Sequence, residues 1–211
     1  MTGSGSVGKE VIIVEPSRPR RPSPHADLTP LIDALGGFEV ESPDERAAAT
    51  AQVLLRAARE GSGDPAALIG LADRIGIETL AALWRDAARE STAGGLWAMY
   101  LLRHWIRTAP VEVVELWTRG ERMGGPDVVV AGVDARANAD AMSAVGDAVL
   151  ATALVGDFGV ALDRAAAVFR VLARGRRARG EFDGGGLAWA NEQTAAALAE
   201  AARRWRAGQL G

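Results

Sequence analysis

Apolar positions along this chain recur at spacings of three and four, and no long stretch alternates apolar with polar, so the pattern predicts helices and gives a sheet little support. The clearest stripe is Phe158, Ala161, Leu162, Ala165, Val168, Phe169 and Leu172, one buried face of a helix that Asp157 starts and Gly175 is expected to end. Ser42-Pro43-Asp44-Glu45 reads as an N-cap, a proline at the first helical position and a capping box, predicting a helix over 43–59. Asp64-Pro65 repeats the start for a helix to about 74, and Gly76 breaks the pattern before another over 78–90.

The next helix, about 95–108, is apolar on nearly every side through Leu96, Trp97, Met99, Tyr100, Leu101, Leu102, Trp105 and Ile106, which places it in the middle of a bundle. Pro110 starts a short helix to about 119. The stretch 120–132 is irregular, with Val128, Val129 and Val130 as a short strand or a buried loop. An alanine-rich helix over 134–155 precedes the stripe at 158, a polar loop is expected over 175–186, and a last helix carries Leu187, Thr194, Leu198, Ala201 and Trp205 on one face. The fold class is therefore all-α: one compact, orthogonal or bundle-like domain of about seven or eight helices over 31–211. Residues 1–30 precede it as a flexible arm, where Pro16, Pro19, Pro22, Pro24 and Pro30 among Arg18, Arg20 and Arg21 favour an extended, polyproline-like chain.

Composition narrows the function classes. Of 211 residues 48% are apolar, which argues against wholesale disorder, and the longest purely apolar run, 96–102, is far short of a membrane span. The four-residue apolar stretch 11–14 is too short for a signal-peptide core, so a cytoplasmic location is expected. There is no cysteine, which removes disulfides and thiolate chemistry. A net charge of −3 is not the footprint of a basic nucleic-acid-binding domain.

Several constellations imitate chemistry. Over 68–87, Ala72 and Gly76 have the spacing of a helix-turn-helix, yet the base-facing positions would be Glu78, Thr79, Leu80, Leu83 and Trp84, acidic or apolar where a major-groove reader needs Arg, Asn, Gln or Ser. Over 153–171 the spacing imitates half a tetratricopeptide unit without a second copy, and a helix hairpin explains it. Tyr100, Arg103, His104 and Arg107 form a candidate polar cluster, but no orienting carboxylate is adjacent in sequence. His25 lies in the arm, and no metal or cofactor is expected. Glu112 and Glu115 read as a solvated helix face with Arg119, and the glycine pairs, Gly94-Gly95 among them, read as helix breaks without phosphate-loop spacing.

Two features stand out as partner-binding candidates. Arg174, Arg176, Arg177 and Arg179 concentrate positive charge in an acidic protein, beyond what offsetting a helix dipole requires. Of six tryptophans, most should be core, while Trp117 and Trp189, near helix ends, are candidates to anchor a partner. The expectation is a helical protein-interaction or scaffold module that self-associates and binds an acidic partner, phosphate-bearing or protein, through the basic loop and arm. The alternatives are a DNA-associated regulator using the same basic segments, and an enzyme with a site around His104.

Overall fold

The computed structural model describes residues 42–61, 64–133, 137–181 and 186–210. The arm, with Arg18, Arg20, Arg21 and His25, lies outside them. Ten helices account for the described secondary structure, and none of the described residues is in a strand. They are α1 (Pro43–Arg59), α2 (Pro65–Ile69), α3 (Leu71–Ile75), α4 (Ile77–Trp84), α5 (Thr92–Thr108), α6 (Pro110–Arg122), α7 (Asp127–Ala131), α8 (Ala139–Val155), α9 (Phe158–Ala178) and α10 (Leu187–Arg206). Among the described residues no helix is long and apolar enough to cross a membrane.

Starts follow the caps. The Ser42 hydroxyl accepts from the Glu45 N–H at 3.2 Å while the Glu45 carboxylate accepts from the Ser42 N–H at 3.3 Å, closing the capping box. Asp64, Asn138 and Asp157 cap α2, α8 and α9 through their side-chain oxygens. The residues 65–74 form two short helices rather than one, and the helix expected over 78–90 ends at Trp84, giving way to a turn that Ser91 closes by capping α5. In the 68–87 segment Leu80 and Trp84 are buried, and the Trp84 indole donates to the Thr50 hydroxyl at 2.9 Å. Of the positions that a groove-reading helix would present to bases, Leu80 and Trp84 are here part of the core, Leu83 is partly buried, and Glu78 and Thr79 are exposed.

Helix α9 is the axis of the fold. All seven stripe residues are buried, with α6, α7, α8 and α10 packed around it. Its neighbours have defined directions. At the start of α9, Phe158 and Leu162 lie against Gly95 of α5; at its end, the Arg176 guanidinium stacks on Trp105 of α5 at 5.0 Å, so α5 runs alongside in the same sense. Helix α10 runs back the other way, with Trp205 meeting Phe158 edge-on at 5.1 Å and Glu192 paired with Arg177.

Glycines expected to end helices instead set helix contacts. Gly175 lies inside α9, where an added Cβ would fall far inside contact distance of the Leu116 carbonyl, and Gly120 of α6 stands in the same relation to the Val171 carbonyl. The two helices therefore cross backbone to backbone. Gly94 and Gly95 both lie within α5; Gly94 admits the Ala88 carbonyl of the preceding turn and Gly95 admits Leu162. The Val128–Val130 stretch is neither strand nor buried loop. It lies in the single-turn helix α7, pinned through Asp127 to Arg170 and Arg174, with Val129 82% exposed.

Candidate functional site

The four arginines of the basic cluster are not a free positive loop. Because α9 runs on to Ala178, three of them are helical, and each meets a carboxylate delivered by a neighbouring element. Arg174 bonds Asp127 of α7 at 2.6 Å, and Arg177 bonds Glu192 of α10 at 2.7 Å. Arg176, its side chain only 5% exposed, bonds Glu181 at 3.1 Å and lies 3.5 Å from Glu112. Arg179 bonds Glu181 and, at 3.2 Å, Glu112. Burial works against ionisation of Glu181, but hydrogen bonds from Arg179 and Arg176 and the charges of both outweigh it and hold its carboxyl below the usual range. Glu112, expected on a solvated face, also accepts from the Trp105 indole at 3.2 Å, while Glu115 and Arg119 do form the expected pair along α6. The expectation of a solvated arginine patch is corrected: most of this charge is neutralised within the fold. Trp117 is corrected too, since it is fully buried and shows no ring to a partner, whereas Trp189 is 49% exposed.

The polar cluster comes together in part. Arg103, buried on α5, bonds Asp147 of α8 at 2.6 Å and Asp73 of α3 at 2.9 Å, and Arg107 lies 3.7 Å from the other oxygen of Asp73. Burial opposes the charge on Arg103, but bonds to Asp147 and Asp73 more than restore it. The Tyr100 phenol donates to the Leu68 carbonyl at 2.6 Å, and burial pushes its ionisation well above the normal range despite the opposing charges of Arg103 and Arg74. These contacts tie α2 and α3 to α5 and α8. His104 is left out. Its ring makes no hydrogen bond among the described residues and no carboxylate orients it, so the sequence-adjacent cluster does not assemble around an imidazole. Among the described residues no group of three or more His, Asp or Glu side chains is placed to hold a metal ion.

A third region was not expected. Helix α10 lies along α9, and between it and α5 is a cleft of about 370 Å³. Trp97, Leu101, Leu102 and Trp105 of α5 form one wall, Ala190, Asn191, Thr194 and Leu198 of α10 the other, and Phe169 of α9 also lines it. The turn before α5 contributes Arg85 and Arg89, which have no carboxylate partner among the described residues; Asp86 and Glu90 of the same turn do not line the cleft. The Asn191 amide nitrogen is buried and has no acceptor. Since α5 and α10 run in opposite senses, the cleft has two unlike ends: the arginines, Gly94 and Trp97 meet the Leu198 end of α10, and Trp105 meets the Asn191 end.

No protein-family model, no curated protein and no solved structure matches the chain.

The signal for the cleft is present in the sequence. A helix apolar on every side is expected to be wrapped all round, and α5 departs from that: Leu101 is 38% exposed, and the flank Trp97, Leu101, Trp105, spaced four apart, lines the opening. On that flank Leu101 is exposed, while Trp97 and Trp105 are partly buried, Trp105 beneath the Arg176 guanidinium. Which residues face them across the cleft depends on packing between distant segments, and the spacing within α5 does not contain it.

Proposed function

We propose that the protein is a helical binding module that captures an acidic partner non-covalently, with the cleft between α5 and α10 as its recognition site. The observation that carries this reading is the composition of the cleft: an apolar, aromatic interior with two arginines at one end that form no ion pair among the described residues. Concave, largely apolar sites of about 300–1,000 Å³ with a few convergent polar groups are the usual form of a small-ligand or side-chain pocket. The acidic partner expected from the sequence is retained, and its docking point moves from the paired arginines of α9 to the unpaired ones before α5.

Anilinonaphthalene sulfonate, an aromatic anion, tests this. The native protein should bind it saturably, and Thr194→Trp, which fills the cleft from α10, should abolish binding while far-ultraviolet circular dichroism and the cooperative melt stay native. Unchanged binding in the filled variant would place the site elsewhere and sink the reading.

A second reading, self-association, is favoured by one observation. Met123, Val129 and Val130, at the end of α6 and on α7, are exposed at 66%, 82% and 47%, and clustered apolar exposure of this kind marks interfaces. Light scattering should then report a dimer or larger species that Val129→Glu converts to monomer.

A further inference from the structure

We infer that the ligand of the cleft is an elongated carboxylate carrying a hydrogen-bond acceptor at its other end, bound with its acid on Arg85 and Arg89, its body against Trp97, Leu101 and Phe169, and its acceptor on the Asn191 amide. This rests on the reading of the cleft as the recognition site and adds the chemical class and the orientation of what fills it.

Three observations carry it. The first is electrostatic: the arginines line the cleft without a carboxylate partner, and a ligand carboxylate meets guanidinium donors in charge-assisted, often bidentate bonds. They stand at the N-terminal end of the 17-residue helix α5, whose dipole favours an anion in the same place.

The second is an unmet polar group. A buried amide N–H without an acceptor is costly, and natural folds rarely leave one without a reason. The other buried donors lacking a partner, on Trp117, Arg174 and Arg176, do not line the cleft; the Asn191 side chain does, and a turn of its amide, whose nitrogen is covered in the free protein, brings that donor to an occupant. The Thr194 hydroxyl nearby is already spent on the Ala190 carbonyl at 3.0 Å.

The third is dimension and polarity. Asn191 and Leu198 are separated by seven residues of α10, roughly 10 Å at 1.5 Å per residue. The cleft therefore runs from a cationic end to a donor end across an apolar floor, and the ligand that matches is acid, apolar spacer and acceptor in that order. A purely apolar molecule leaves both ends unpaired, and a cation meets Arg85 and Arg89 unfavourably.

Titration calorimetry on the full chain tests this with octanoate, 1-octanol and monomethyl octanedioate, which share a chain of similar length. Octanoate should bind at least about tenfold more tightly than octanol, because ionic hydrogen bonds are the stronger kind. The monoester, with a carbonyl at its far end, should bind more tightly still. Arg85→Gln with Arg89→Gln should bring octanoate down to the affinity of octanol and leave octanol unchanged. Asn191→Leu should reverse the order of octanoate and the monoester, since it removes the donor and enlarges the apolar floor.

Failures separate cleanly. If octanol equals octanoate in the native protein and Thr194→Trp abolishes both, the cleft is the site and the acid claim is wrong. If the monoester never exceeds octanoate, or Asn191→Leu leaves their order intact, the orientation claim is wrong. Binding of all three that survives Thr194→Trp overturns the inference together with the reading beneath it.

Discussion

Helix α9 borders two regions that are built in opposite ways. Toward α6 the backbones touch: Gly120 and Gly175 let the helices close on each other, and the arginines that follow are drawn into reach of Glu112 and Glu181. Over Phe169, α5 and α10 stand apart from each other, leaving a cleft with two arginines that no carboxylate meets and an unpaired amide. The first region holds the highest density of charge and most of it is spent on carboxylates; the second holds little charge and none of it is met by a carboxylate, the Arg85 Nε–H donating only to the Ala81 carbonyl. Availability for recognition depends on whether counter-charges arrive from other elements, and a count of arginines along the chain does not record that.

Overpacking breaks this contrast most severely. Gly175→Leu drives a side chain into the Leu116 carbonyl, where neither backbone can give, and should cost about 3 kcal/mol or more or abolish the cooperative melt. Thr194→Trp, adding more volume on the cleft side, should cost less than about 1 kcal/mol. Comparable losses in the two variants would mean that the cleft is as tightly packed as the crossing.

The two candidate tryptophans follow in size. Trp117→Ala empties a fully buried site beside the crossing and should cost about 3–5 kcal/mol in denaturant melts, while Trp189→Ala, half exposed at the start of α10, should stay within about 0.5 kcal/mol.

Next come the arginines. Arg176→Leu leaves Glu112 and Glu181, both about one-third exposed, without their inner partner, and should cost about 1–2 kcal/mol. Arg89→Gln, which breaks no ion pair, should fall within about 0.5 kcal/mol.

Element starts and the buried stripe of α9 were legible because they are local. Ser42, Asp64 and Asp157 cap the helices that follow them through bonds spanning two or three residues, and such bonds can be read from neighbours in the chain. Gly175 was not legible, because a glycine that ends a helix and a glycine that lets two helices touch are the same residue until the partner helix is known. Arg179 and Glu112 are likewise 67 positions apart, so the neutralisation of the basic cluster is a property of the packed fold. The run Val128 to Val130 misled for another reason: β-branched residues favour strands, but Asp127, held by Arg170 and Arg174, fixes one helical turn, and Gly132 ends it at a positive φ of 73°. Of the polar cluster, Tyr100, Arg103, His104 and Arg107 are legible as neighbours on one helix, while Asp73 and Asp147, which Arg103 meets, come from two others.

The smallest effect is in pH. Glu181 has a lowered carboxyl pKa in the fold, so its contribution to stability is fully present above the unfolded value of about 4.3 and is lost as pH falls through the lower, folded value. Melting temperature should therefore drop on acidification below about pH 4, and Glu181→Gln should shallow that drop without altering the binding of octanoate at neutral pH.

The most direct test of cleft recognition is amide and indole chemical-shift mapping of the full chain titrated with monomethyl octanedioate. The expected result is saturable shifts at Arg85, Arg89, the indoles of Trp97 and Trp105, and the Asn191 side-chain amide, with Arg177 and Trp189 unmoved. Shifts confined to Arg174, Arg177 and Trp189 would contradict the account and return recognition to the basic end of α9.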